Sequence, residues 1–218
     1  MSIIEACILG VIQGLTEFLP VSSSGHLELG KALLNVEVND PLLFSIVVHG
    51  ATALSTIIVF RKDILVLVKD AFRFTWNDSS SYIAKIALSM IPVGVFGLLY
   101  EDKVEILFEG QILLVGSMLL ITGMLLFWTL KAPNTSSEIN FVHAFVIGLS
   151  QAVAILPGIS RSGATISTAL LLGVKRDKAA KFSFLMVLPP IFGALLLKVK
   201  KYGNEGKEVA LQVVENSR

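Results

Sequence analysis

The sequence predicts an all-α integral membrane protein, an inverted-topology repeat with two re-entrant helical hairpins and about four transmembrane helices. Three observations lead there. Hydrophobic residues make up 54% of the 218-residue chain and charged residues only 16%, with a mean hydropathy of +0.76; a soluble domain carries about 25% charged residues. Several apolar runs are long enough to cross about 30 Å of hydrocarbon as helices. Two other apolar runs are interrupted by similar polar stretches, VSSSGH (21–26) and ISRSGAT (159–165).

The formal net charge of +1 supplies no field to gather nucleic acid or acidic partners. The single Cys7 excludes an intramolecular disulfide and a multi-cysteine metal site, and its apolar neighbours predict a buried space-filler. The start, MSIIEACILG, carries Glu5 and no basic residue, so it lacks the basic region of a signal peptide and is expected to belong to the mature protein.

Taken in order, run 3–19 ends in PVSSSG and resumes at 27–36. The resumed piece is too short to cross a bilayer alone, so the pair is expected to be a re-entrant hairpin with its polar turn buried in protein. Full spans follow at 42–60, 83–100 and 112–130. Run 141–156 then ends in PGISRSGAT and resumes at 166–174, a second hairpin. Run 182–199 has spanning length but contains Pro189-Pro190, which predicts a kink or break.

The two hairpins read as copies. A shift of 138 residues aligns Gly10, Gln13, Ser22, Ser24 and Gly25 with Gly148, Gln151, Ser160, Ser162 and Gly163, and brings ten identities into register over positions 10–45. The chain therefore divides into a first repeat, 1–138, and an incomplete second repeat, 139–218. A complete second copy would end near position 276, so the chain is expected to be C-terminally truncated.

Loop charges set the expected orientation. Arg61, Lys62, Lys69, Arg73, Lys131, Lys175, Arg176, Lys178 and Lys181 mark the cytoplasmic side, whereas EDKVEILFE (101–109), Glu37 and Asp40 suit the outside. Three spans separate the hairpins, so the second enters from the opposite face and the two polar turns meet within the membrane. Lys198, Lys200 and Lys201 disagree, since they would fall outside.

Gln13 and Glu17 are four apart and share a helix face. A carboxylate at membrane depth costs about 2.5–3.5 kcal/mol on insertion scales, so it should line a cavity and have a partner. Pro20 breaks the helix, and Ser22, Ser23 and Ser24 precede a new one, where hydroxyls cap the first turn and its free N–H groups attract anions. His26 lies in that turn. In the second hairpin Ser160, Arg161, Ser162 and Thr165 follow Pro157-Gly158, and Arg161 aligns with Ser23. A guanidinium offers a planar fork of donors for phosphate oxygens. Together these groups would bind a phosphorylated headgroup, with apolar walls for a lipid tail. Plainer roles stand beside these: the serines as caps only, Glu17 and Arg161 as a structural ion pair, His26, His49 and His143 as packing residues. Gly116 and Gly123 are expected at helix-packing contacts.

QGLTEFLPVSSSGH (13–26) and PGISRSGAT (157–165) closely resemble the two signature motifs of the bacterial undecaprenyl-diphosphatase family, of the BacA type. The resemblance runs from residue 1 to about 202. It implies a multi-pass hydrolase of the bacterial plasma (inner) membrane that converts undecaprenyl diphosphate to undecaprenyl phosphate, recycles the carrier for peptidoglycan and gives bacitracin resistance. It also implies a divalent cation, Mg²⁺ or Ca²⁺, and an active site open to the periplasmic face. Carried onto this chain, the catalytic residues are Glu17, Ser23, His26 and Arg161. Ser22, Ser24, Ser160, Arg161, Ser162 and Thr165 hold the diphosphate, and Gln13 and Glu17 serve the metal. Ser23 attacking with His26 moving its proton, and a phosphohistidine on His26, are both open routes. The expected partners are the polyprenyl diphosphate lipid and the bilayer, with no nucleic acid; a homodimer is left open. Family members continue with further membrane helices beyond the end of this sequence. A non-enzymatic lipid transporter or flippase, or an inactive fragment of the enzyme, is the rival.

Overall fold

The computed structural model describes residues 1–73, 75–107, 111–133 and 137–215. Among them are ten α-helices and no strand: α1 (Ile3–Phe18), α2 (Ser23–Leu34), α3 (Pro41–Val59), α4 (Arg61–Ala71), α5 (Asp78–Leu107), α6 (Ile112–Trp128), α7 (Phe141–Val153), α8 (Arg161–Leu171), α9 (Arg176–Met186) and α10 (Leu188–Glu215). Four stretches are helical, long and apolar enough to cross a bilayer: Pro41–Val59, Asp78–Gly97, Ile112–Lys131 and Arg176–Lys200.

Helix starts follow the local chemistry. Ser2 and Glu5 form a reciprocal capping box on α1, Asp40 caps α3 ahead of Pro41, and Asn140 caps α7 by accepting from His143 N. The span expected at 83–100 begins earlier and continues to Leu107, through most of the acidic stretch expected as an outside loop. Glu101–Leu107 contains good helix formers and no Gly or Pro, so nothing local stops the helix; Phe108 and Glu109 lie outside the described residues. The expected break in the last span falls at Val187, between α9 and α10. Pro189 and Pro190 thereby occupy the first turn of α10, where a missing N–H removes no intrahelical bond.

Helices α1 and α2 pack as one hairpin and α7 and α8 as another; α6 touches both second arms, α5 runs along α7, and α3 lies against α10. The larger apolar core gathers Ile139, Ala144, Ile147, Phe182 and Met186, with Tyr82 meeting the Phe182 ring edge-on at 5.6 Å between centroids. A smaller core joins Leu9, Leu27 and Val36.

Hydrogen bonding recurs between the hairpins at the 138-residue offset. Ser22 Oγ accepts from Gly25 N at 3.3 Å, and Ser160 Oγ accepts from Gly163 N at 3.0 Å. Helix α2 ends with Asn35 at φ +49°, where Asn35 N donates to Ala32 O and Val36 N to Lys31 O. Helix α8 ends with Gly173 at φ +82°, with Gly173 N on Leu170 O and Val174 N on Ala169 O. Both are Schellman ends. The copies part at Ser22, whose φ of +72° is unusual for a residue with a Cβ; Ser160 sits at −71°.

Two expectations are corrected. Cys7 is exposed rather than buried. It lies on the stripe of α1 that also exposes Ile3, Ile4, Ile8, Val11 and Leu15, a face an apolar sequence presents to lipid as readily as to a core. Gly116 and Gly123 are not close-packing contacts, since a Cβ at either would meet nothing within 4 Å. The tight approach is at Gly148, where a Cβ would stand 2.4 Å from the carbonyl oxygen of Ser89 on α5. Gly148→Ala is therefore expected to destabilise the protein by about 1–3 kcal/mol through overpacking against backbone. Gly116→Ala should leave stability unchanged or slightly raised. Thermal unfolding of both variants in detergent checks the contrast.

A candidate active site between two hairpin turns

The last turn of α1 and the first turns of α2 and α8 converge on a cavity of about 190 Å³. Glu17 is its hub. Its Oε2 accepts hydrogen bonds from Gln13 Nε2 at 3.1 Å and from Ser23 Oγ at 2.5 Å. Its Oε1 accepts from Nη2 of Arg161, which reaches across from the other hairpin. The acid and guanidinium side chains are only 12% and 19% exposed, so the pair is largely withdrawn from solvent. The second terminal nitrogen of Arg161, Nη1, is buried with no partner among the described residues. A buried donor left in that state calls for an acceptor that arrives with a ligand.

The two turns touch directly. Ser162 Oγ lies 3.5 Å from the Glu17 carbonyl oxygen and 3.4 Å from that of Leu19. A Cβ at Gly163 would stand 2.8 Å from Pro20 O, so this approach requires glycine. Helix α6 fixes the second turn: Ser160 N donates to Thr122 Oγ1 at 3.0 Å, and Thr122 Oγ1 donates to Gly158 O at 3.2 Å. Gly158 has φ +90°, and a Cβ there would meet Val115 O at 2.5 Å, so two constraints demand glycine at one place.

Of the sequence-predicted residues, Glu17, Ser22, Ser23, Ser24, Ser160, Arg161 and Ser162 line the cavity. Ser22 and Ser160 also cap their helices, and each sits near a second serine, with Oγ–Oγ distances of 3.4 Å to Ser24 and 3.3 Å to Ser162. Gln13 is buried behind Glu17, and its Oε1 has no partner among the described residues. His26 is not among the lining residues; its Nδ1 lies 2.7 Å from Ser22 O. Nor is Thr165, which is fully buried with its hydroxyl 2.6 Å from Ser183 Oγ and 2.9 Å from Arg161 O. Thr16 and His49 line the cavity as well. The sequence leaves His49 between packing and lining the cavity, and an ionisable residue in mid-span is itself a functional signal; it lines the cavity. Thr122 gave no signal, because one threonine in an apolar span looks like any other helix-packing hydroxyl. Among the described residues no three His, Cys, Asp or Glu side chains are grouped to hold a metal ion.

Fold and site define a multi-pass membrane protein whose acid, arginine and hydroxyls meet where two helical hairpins abut. Within that class the chain belongs to the BacA family: the family described as bacitracin resistance protein BacA matches residues 6–215. A Christiangramia forsetii protein named undecaprenyl-diphosphatase is 56% identical over 197 residues, covering 89% of this chain and 75% of its own. Proteins of the same name from Parabacteroides distasonis and Methanococcus vannielii are 50% and 42% identical. They cover 96% and 90% of this chain and 79% of their own length in each case.

Proposed function

We propose that this protein hydrolyses undecaprenyl diphosphate to undecaprenyl phosphate and inorganic phosphate in the bacterial plasma membrane. Such an activity recycles the lipid carrier of cell-wall synthesis and counters bacitracin. The observation that carries this is the hub at Glu17, where a nucleophile-type hydroxyl and an arginine from the other hairpin share one carboxylate. The names of the relatives supply the substrate.

The diphosphate enters between the turns, and Val187, Ile191 and Ile159 on the cavity wall face the prenyl side. The open Nη1 of Arg161 takes a phosphate oxygen, helped by the N-terminal dipoles of α2 and α8. Ser23 Oγ loses its proton to Glu17 Oε2 and bonds to the terminal phosphorus. The bond from that phosphorus to the bridging oxygen breaks, and undecaprenyl phosphate leaves with the electron pair. Water then hydrolyses the phosphoserine. The serine route is supported by the 2.5 Å Ser23–Glu17 hydrogen bond, while the His26 ring is engaged with the Ser22 carbonyl and serves to hold that turn.

The donor set suits a divalent cation that draws most of its oxygen ligands from phosphate and water, as Mg²⁺ does. The Glu17 carboxylate and the unpartnered Gln13 Oε1 would hold it. Such an ion, Mg²⁺ or Ca²⁺, would neutralise charge on the phosphate oxygens.

The hairpins are further read as re-entrant, inversely oriented halves with the site open to the periplasmic face. The recurrence of caps and Schellman ends at one fixed offset supports two copies of one hairpin, and the approach of Gly163 to Pro20 supports turns that meet. Purified protein in detergent, with divalent cation and no gradient, is expected to release inorganic phosphate from undecaprenyl diphosphate and to trap label on Ser23 after acid quench. Label recovered on His26 would replace the serine route. Lipid movement across vesicles without phosphate release would replace the enzyme with a carrier.

A further inference from the structure

Of the ionisable residues on the cavity wall, Glu17 and Arg161 have parts in the proposed reaction and His49 has none. It sits near the middle of α3, a span whose other residues are apolar or hydroxylic. Its Nδ1 lies 2.9 Å from the carbonyl oxygen of Ser45, one turn back. A carbonyl can only accept, so this contact fixes the proton on Nδ1 and leaves Nε2 as the acceptor. The Ser45 hydroxyl, 3.4 Å from the same Nδ1, accepts from Lys198 Nζ at 2.6 Å. Lys198 comes from α10 and is one of the lysines that disagreed with the loop-charge topology; here it reaches inward to α3. The charged groups that face the ring are Glu17 from α1, Arg161 from α8 and Lys198 from α10. A ring held by its backbone side and placed on the cavity wall is oriented as a proton acceptor.

We propose that His49 is the general base of the second half of the reaction, an inference that rests on the phosphoserine route. Glu17 emerges from the first half carrying the Ser23 proton and cannot accept another. A second acceptor is then needed for the water. The water oxygen bonds to the phosphoserine phosphorus while its proton passes to His49 Nε2. The bond between phosphorus and Ser23 Oγ breaks, its electron pair stays on Oγ, and Oγ recovers the proton held by Glu17. Inorganic phosphate departs, and His49 gives its proton to solvent. His49 thus contributes to turnover and not to capture of the lipid.

Rapid-quench kinetics on the intact protein with divalent cation and ³²P in the terminal phosphate of undecaprenyl diphosphate test this directly. His49→Gln is expected to release one equivalent of undecaprenyl phosphate at the wild-type rate. Inorganic phosphate should follow about 10²-fold more slowly, with label accumulating on Ser23. Added imidazole should restore phosphate release to His49→Ala, which a packing role would not allow. Turnover of His49→Gln within about threefold of wild type overturns the inference, being far below the loss a missing base causes. So does slow turnover with neither accumulated label nor imidazole rescue. If the wild type itself releases no phosphate, the diphosphatase activity fails and this inference falls with it; an active wild type confines any failure to His49.

Discussion

Glu17→Gln is expected to lower undecaprenyl diphosphate hydrolysis by about 10³-fold or more, chiefly in kcat. Three donors, Gln13 Nε2, Ser23 Oγ and Arg161 Nη2, converge on this carboxylate. The amide can still accept hydrogen bonds, but it cannot take the Ser23 proton, and loss of a positioned base alone accounts for about 10²–10⁴-fold. The substitution also leaves the Arg161 charge without its counter-ion in a largely enclosed site. Breaking such a pair on one side costs about 3–5 kcal/mol at most, so a lowered unfolding temperature should accompany the lost turnover. Phosphate release and thermal unfolding, measured on one preparation, separate the two effects. Retention of a tenth of the activity would put the base elsewhere.

The second large effect is expected at Arg161, where lysine is more informative than alanine. A lysine keeps the charge and can hold Glu17, so the folded protein should survive with near-wild-type thermal stability. It cannot also supply the second, free arm of the fork now offered by Nη1. Turnover is therefore expected to fall by about 10²–10³-fold, the loss seen when one preorganised donor to a developing anion is removed. A purely structural ion pair predicts the reverse, an active Arg161→Lys enzyme. Steady-state phosphate release by this variant decides between them.

Much of the site could be read directly from the residues, because chemistry that conflicts with its surroundings is conspicuous. A carboxylate, an arginine and runs of serine inside oily segments have few reasons to be there, and Glu17, Ser23 and Arg161 do meet in one cavity. The broken helices were equally plain, since Pro20 and Pro157-Gly158 interrupt them. What stayed hidden is relational. Nothing in one span tells which face turns toward a neighbour, so Cys7, Gly116 and Gly123 were misassigned while Gly148 carried the close contact. Thr165 belongs to the second motif, yet its hydroxyl turns to Ser183 on α9, a partner that only the packed structure supplies. The same holds for Thr122, whose value lies in the backbone groups of Ser160 and Gly158 that it joins. Helix α5 overran its expected end because hydropathy marks where lipid ends, not where a helix must stop.

One pocket shared by both hairpins carries the chemistry, and its most direct test is an experimental structure with a divalent cation and a hydrolysis-resistant polyprenyl methylene-diphosphonate. The expected result is a phosphonate oxygen on Arg161 Nη1 with the terminal phosphorus in line with Ser23 Oγ, between the two turns. A ligand bound elsewhere, with the Glu17–Arg161 pair intact and the cavity between the turns empty of phosphorus, would contradict it.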